Sequence, residues 1–145
     1  MDPPGPVPGK GDHQILDRFD EGTISRAVEA MGTGPDAPLM FEVRHAGGAL
    51  ARRAEGSGAL GALEGEFITF TVDILPVPEL EPAVDAKLAR MREALTPVET
   101  GGHYLNFAES SVEPETIFGD RLERLREVRD RYDADMFRAN HGLGA

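Results

Sequence analysis

Residues 67–75 read FITFTVDIL. Side chains of an extended chain alternate between two faces. Ile68, Phe70, Val72 and Ile74 therefore fall on one face, and Phe67, Thr69, Thr71 and Asp73 on the other. This split, rich in β-branched and aromatic residues, predicts a strand with one apolar and one polar side. Pro76 and Pro78 end it, because proline cannot donate to a ladder. Residues 39–44, LMFEVR, alternate in the same way. Leu39, Phe41 and Val43 point one way, and Met40, Glu42 and Arg44 the other. HAGGAL then breaks that run at Gly47–Gly48. Between the two runs, ARRAEGSGALGALEG leaves room for a short third strand.

Helical periodicity flanks these strands. Thr23 can cap a helix whose Ile24, Val28 and Met31 fall at i, i+4 and i+7, and Gly32 supplies its left-handed stop. From Glu79 to Leu95, the residues Leu80, Val84, Leu88, Met91 and Leu95 form one apolar stripe, which Thr96-Pro97 closes. His103–Phe107 reads as a short strand with Tyr104 and Asn106 on one face. Ser111 can cap the turn that holds Pro114. A last amphipathic helix runs from Asp120 to Tyr132, with Leu122, Leu125 and Val128 inward. The tail, DADMFRANHGLGA, carries Phe137 as its anchor. The opening dodecad, MDPPGPVPGKGD, has four prolines and three glycines and reads as a flexible leader. The expected fold is α+β, an antiparallel sheet with helices packed on one face, followed by a C-terminal helix and tail. Residues 1–12 form the leader, 13–100 the α+β domain and 101–145 a C-terminal closing segment.

Composition narrows the function. Fifteen basic residues against 26 acidic ones leave a net charge of −11. That opposes sequence-independent nucleic-acid binding, which relies on Lys and Arg neutralising phosphates, and attachment to anionic lipid. The absence of cysteine removes disulfides, thiolate nucleophiles and cysteine metal sites. Residues 1–12 lack the apolar centre of a signal peptide, and no apolar run reaches the roughly 18 residues of a membrane span. A soluble, cytoplasmic chain is the expectation.

His13, His45, His103 and His141 are scattered, without the i, i+4 pairing of a helical metal site, so no metal is expected. GGAL and GSGALGALEG lack the Lys-Ser/Thr of a phosphate loop and the strand-turn-helix setting of a dinucleotide fingerprint. Ser57, Ser110 and Ser111 lack a nucleophile-elbow context. RLERLREVRDR mixes charge signs at helical spacing and reads as a solvated face. Two features stay open. Glu42, Arg44, Thr69, Thr71 and Asp73 on the polar strand faces either meet water or line a site. Tyr104 and Asn106 either satisfy each other or face a ligand.

YLNF followed by FGDRLERLREVRDRYDADMFRANHGL resembles the carboxy-terminal region of berberine-bridge-type FAD-linked oxidoreductases, within the vanillyl-alcohol-oxidase-like flavoproteins. The matching parts are Tyr104-Leu105-Asn106-Phe107, Arg121-Leu122, Leu125, Tyr132-Asp133, Phe137 and Asn140-His141. FEVRHAGGAL and GEFITFTV look like strands of the same family's substrate domain. The resemblance implies a substrate-binding cap whose sheet roofs the flavin. Its FAD would be bound mainly by a domain absent from this chain, so an FAD-binding domain or subunit is the implied partner. It further implies Tyr104 beside flavin and substrate as the catalytic group, Asn106 on the flavin or its support, and Glu42, Arg44, Thr69 and Thr71 facing a small-molecule substrate. The chemistry implied is oxidation of an alcohol or related compound. Where many members carry an acidic base on the second strand, this chain shows threonines. A rival from another class is a non-catalytic α+β module that forms a homodimer through its sheet. A cofactor-free small enzyme is a third reading, and the scattered histidines count against it.

Overall fold

The computed structural model describes residues 8–132. The expectations for residues 1–7 and for Asp133, Phe137, Asn140 and His141 lie outside them. The elements run β1 (Gly9–Leu16), α1 (Glu21–Met31), β2 (Met40–His45), β3 (Phe67–Ile74), α2 (Glu81–Leu95), α3 (Pro114–Phe118) and α4 (Leu122–Tyr132), with short 3-10 turns between. The strands form one antiparallel sheet in the order β1-β3-β2, so the strand built from FITFTVDI is central. Helices pack against it, and the α+β expectation holds.

Strand β1 is the first correction. Gly9 to Asp12, read as leader, is ladder-paired to β3, with Gly9 opposite Ile74 and Asp12 opposite Thr71. Its glycine serves packing. A Cβ on Gly11 would sit 2.6 Å from Cζ of Phe70, so only glycine lets that ring lie against the strand. Apolar alternation is missing here because Lys10, Asp12 and Gln14 face α2 through charge and hydrogen bonds. Lys10 Nζ meets Glu81 at 2.8 Å and Asp85 at 2.6 Å. Arg92 of α2 grips both carboxylate oxygens of Asp12, and its Nη2 donates to the His13 carbonyl at 2.9 Å. Gln14 returns a bond to the Arg92 carbonyl at 3.1 Å.

The register then decides which face of β3 meets the helices. Lys10 pairs with Asp73, Asp12 with Thr71, Gln14 with Thr69 and Leu16 with Phe67. Thr69, Thr71 and Asp73 therefore lie beneath the helices, and all three are buried. This inverts the expectation of an apolar inner face on β3. The hydroxyl of Thr69 is satisfied by the Gln14 carbonyl at 3.2 Å, which makes its burial affordable. Farther along the layer, Leu16, Ala27, Leu95 and Val98 supply apolar packing, with Phe19, Phe41 and Phe67 against them. The opposite face carries a second core of Ile15, Ala46, Leu63 and Ile68.

Helix α2 buries Val84, Leu88, Met91 and Leu95, as its stripe predicts, but Leu80, the first residue of that stripe, lies in the turn before the helix and is exposed. Helix α1 differs. Asp20, not Thr23, caps it, accepting from the Thr23 amide at 2.8 Å and hydroxyl at 2.9 Å. Its buried residues are Thr23, Ala27 and Ala30, whereas Ile24 and Val28 are exposed. Small side chains bring α1 close enough for side chains to stitch it to α2. Arg26 donates to the Ala94 carbonyl at 3.1 Å and Arg90 to the Ala30 carbonyl at 2.7 Å. Gly32 ends α1 at φ +64°, as expected. No third strand forms within residues 51–65, and 103–107 is a turn containing a 3-10 segment, Leu105–Phe107, instead of a strand.

Asp73 and Lys87 join β3 to α2 at 2.7 Å. Burial alone would raise the Asp73 carboxyl, but hydrogen bonds from Lys87 and the Ile74 amide, with the Lys87 charge, outweigh it and hold the carboxyl below its usual range. A depressed folded-state value means that the pair's contribution is complete above the unfolded carboxyl's pKa of about 3.9 and is lost as pH falls through the folded value. We predict that Lys87→Met destabilises the fold by about 2–4 kcal/mol at neutral pH, because a buried carboxylate loses its partner. Urea unfolding against pH should show the variant's deficit shrinking below about pH 4 as Asp73 protonates.

Candidate functional site

The face of the sheet away from the helices carries Glu42 and Arg44 from β2, Ile68, Phe70 and Val72 from β3, and Gly11, His13 and Ile15 from β1, by alternation from the paired register. The turn after Thr100 folds over part of it. The ring of Phe107 stacks on Phe70 at 4.6 Å between centroids, and Tyr104 meets Phe107 edge-on at 5.1 Å. The guanidinium of Arg44 lies 4.7 Å from the Phe107 centroid on the ring's face. Glu42 pairs with Arg44 along the strand. Asn106 Nδ2 donates to the Tyr104 phenol oxygen at 3.0 Å.

Four expected residues, Glu42, Arg44, Tyr104 and Asn106, thus share one patch. Tyr104 and Asn106 are neighbours through a tight turn and not through strand alternation. Thr69 and Thr71 do not join them. Thr69 is opposite Val43 and Thr71 opposite Phe41, so both point to the helix side. Phe70 and Phe107 complete the patch in their place. The alternation of FITFTVDIL puts Phe70 with Ile68 and Val72, but only the register tells which side that is.

Electrostatically the patch holds one charge pair with a phenol beside it. Glu42's hydrogen bond holds Arg44 more firmly protonated than a free guanidinium; burial opposes this, and the Glu42 charge and Tyr104 add smaller contributions. Arg44 is largely exposed to solvent, so the pair is screened and contributes little to stability. Its consequence is positional. The guanidinium stays over Phe107, within electrostatic reach of Tyr104.

His13 supports the patch from below, and sequence reading missed it because the residue sits at the edge of the supposed leader. Its buried Nε2 accepts the Tyr104 amide proton at 3.2 Å, which places the ring proton on Nδ1. Its ring lies edge-on to His103 at 5.4 Å between centroids. Burial, His103 and Arg92 push the His13 imidazole below its ordinary range; Asp12 and the Phe107 backbone oppose them. Beside His103 opens a cavity of about 270 Å³ whose lining includes Ile15, Leu63, Arg53 and Arg121. Among the described residues no cluster of three or more His, Asp or Glu could hold a metal, and no helix is long and apolar enough to cross a membrane.

A lowered imidazole value carries a sign. Below the unfolded pKa of about 6.5 the unfolded chain takes the proton first, so stability falls as pH drops through that range. Protonation also removes the acceptor for the Tyr104 amide. We predict that NMR titration finds His13 titrating below free histidine, and that the protection factor of the Tyr104 amide, its exchange rate corrected for the intrinsic pH dependence, falls from about pH 7 toward about pH 5. An amide whose protection is independent of His13 titration would contradict the bond.

Comparison with known proteins supports the resemblance at its C-terminal end. Residues 103–144 match the sequence profile of the family described as berberine and berberine-like. The fold is similar to that of Physcomitrella patens BBE-like 1. A variant form superposes with a TM-score of 0.71 at 16% identity, and the wild type with 0.70 at 15%. Both alignments cover 88% of this chain, which spans only 28% of each of those chains. No curated protein matches the sequence.

Proposed function

We propose that this chain is the substrate-side portion of an FAD-linked oxidoreductase that oxidises an alcohol or related small molecule. In this reading Glu42, Arg44, Tyr104 and Asn106 face the cofactor and substrate, and an FAD-binding domain or subunit holds most of the cofactor. One observation carries the proposal: the family match begins at His103 and takes in Tyr104 and Asn106, which the fold sets on the uncovered face. Fold likeness alone would not suffice, since one fold hosts many chemistries.

The residues present fit one part of such a cofactor. Tyr104 and Asn106 offer a phenol and a carboxamide at the polar edge of a planar ring, and the Phe70–Phe107 stack adds apolar surface. They do not supply a pyrophosphate site. The glycine-rich stretch over residues 47–66 folds as turns and bends with no helix N-terminus behind it. When bound, FAD would supply the two-electron acceptor. Tyr104 Oη would take the proton of the substrate hydroxyl as it releases its own proton to solvent, so the phenol stays neutral. Asn106 orients that oxygen, and Arg44 places positive charge beside it, aimed at negative charge that develops there. Glu42 keeps Arg44 in position.

The test is reconstitution. Co-expression with a flavin-binding polypeptide that lacks this region should give a coloured complex that turns over an alcohol substrate. Tyr104→Phe in that complex should lower kcat by about 100- to 10,000-fold with the flavin band retained. A flavin-binding polypeptide that turns over equally well without this chain would refute the reading.

A further inference from the structure

The two edges of the sheet are treated differently. On β1 several outward backbone groups have partners. The Gly11 amide donates to Glu109 at 2.6 Å and the His13 amide to its neighbour Asp12 at 3.0 Å, while the Ile15 carbonyl accepts from the Thr100 amide at 2.8 Å. On β2, among the described residues, the ladder runs to β3 alone. The Ala46 amide donates to the Glu66 carbonyl at 2.7 Å on the β3 side. By antiparallel alternation, the even residues of β2 use their backbone groups on β3, and Phe41, Val43 and His45 turn theirs outward. An unblocked edge of this kind is a template for another strand.

Apolar surface continues the edge on the helix side. A groove of about 380 Å³ lies between α1 and β2, lined by Ile24, Val28, Met31, Phe41 and Val43 among others. Ile24 is 45% exposed and Val28 68%, although both lie on the helix stripe that periodicity assigns to a core.

We propose that β2 is the seam of a homodimer, two copies pairing their β2 strands antiparallel about a two-fold axis at Val43. The charges on the strand select this partner and this register. With Val43 opposite its own copy, outward backbone groups meet outward ones: Val43 with Val43, Phe41 with His45. On the open face, Glu42 of each copy then stands opposite Arg44 of the other. Sliding the strands by two residues one way sets Glu42 against Glu42, and the other way sets Arg44 against Arg44. A slide of one residue opposes outward and inward backbone groups. The sequence Phe-Glu-Val-Arg-His is thus self-complementary about its centre, as an isologous interface requires. Two three-stranded sheets become one continuous sheet, and the α1 helices meet across the axis to cover Ile24 and Val28.

The inference is independent of the oxidoreductase reading, because the seam uses the strand edge and needs no flavin. Its test is sedimentation of the full chain, with charge variants whose folding is checked by circular dichroism. The wild type should be a dimer at micromolar concentration. Glu42→Arg and Arg44→Glu alone should each weaken dimerisation by about tenfold, since both cross-axis pairs become like-charged. The double swap should restore it, and an equimolar mixture of the two single variants should form heterodimers. Amides of Phe41, Val43 and His45 should exchange slowly in the dimer. A monomeric wild type overturns the seam, even if another polypeptide can later occupy that edge. Single variants that dimerise as tightly as wild type, or a double swap that stays weak, overturn the register.

Discussion

The bidentate grip of Arg92 on Asp12 is the constraint on which the rest is arranged. It fixes α2 against β1. The same guanidinium bonds the His13 carbonyl at 2.9 Å and Glu99 at 3.0 Å, so it also positions the chain where residue 99 bridges to Leu16. Glu99 leads through Thr100 into the turn with Tyr104, and His13 accepts that turn's amide. One arginine in the helix layer therefore sets both ends of a support for a phenol on the opposite side of the sheet. A lysine could not replace it, because a point charge cannot fork onto two carboxylate oxygens while also reaching a carbonyl and a second acid.

That arrangement explains which parts of the fold were legible. Helix α2 was readable because its stripe and its burial coincide. Strands β2 and β3 were readable because β-branched and aromatic residues alternate there. Strand β1 was hidden, because its inward positions are Lys10, Asp12 and Gln14, whose partners are charges and a carbonyl 78 or more residues away in sequence through Arg92, and acids of α2 for Lys10. Periodicity detects burial of apolar groups, whereas these residues are held against the helix by pairing, and only Gln14 of them is buried. The same cause inverted β3. Its Thr69, Thr71 and Asp73 look like a wet face until the polar partners on β1 and α2 are known.

The candidate site was legible as a set of residue types, but not as geometry. Tyr104 and Asn106 do meet, through a 3-10 turn whose spacing mimics that of a strand, so the right pair came from the wrong local structure. Glu42 and Arg44 stand on the expected face. Thr69 and Thr71 were misplaced because a one-residue change of register moves every side chain to the other face. His13, Phe70 and Phe107 contribute through contacts across 37 or more positions, as in the Phe70–Phe107 stack, which no local pattern encodes.

The patch is open, and this shapes what it can do. Electrostatic catalysis needs donors and charges in a site from which water is excluded, where they act far more strongly than at a surface. Here Arg44 and Asn106 are exposed, so the Tyr104 oxygen shares its neighbours with solvent. Chemistry at that oxygen therefore requires a second wall. The aromatic stack of Phe70 and Phe107 is suited to meeting a flat apolar surface, and the polar atoms of Tyr104 and Asn106 lie at its margin. A partner that covers the rings would desolvate the phenol, its amide and its cation together. In the proposed reading the face is half of a cleft, and its polar groups gain their strength when the other half covers it.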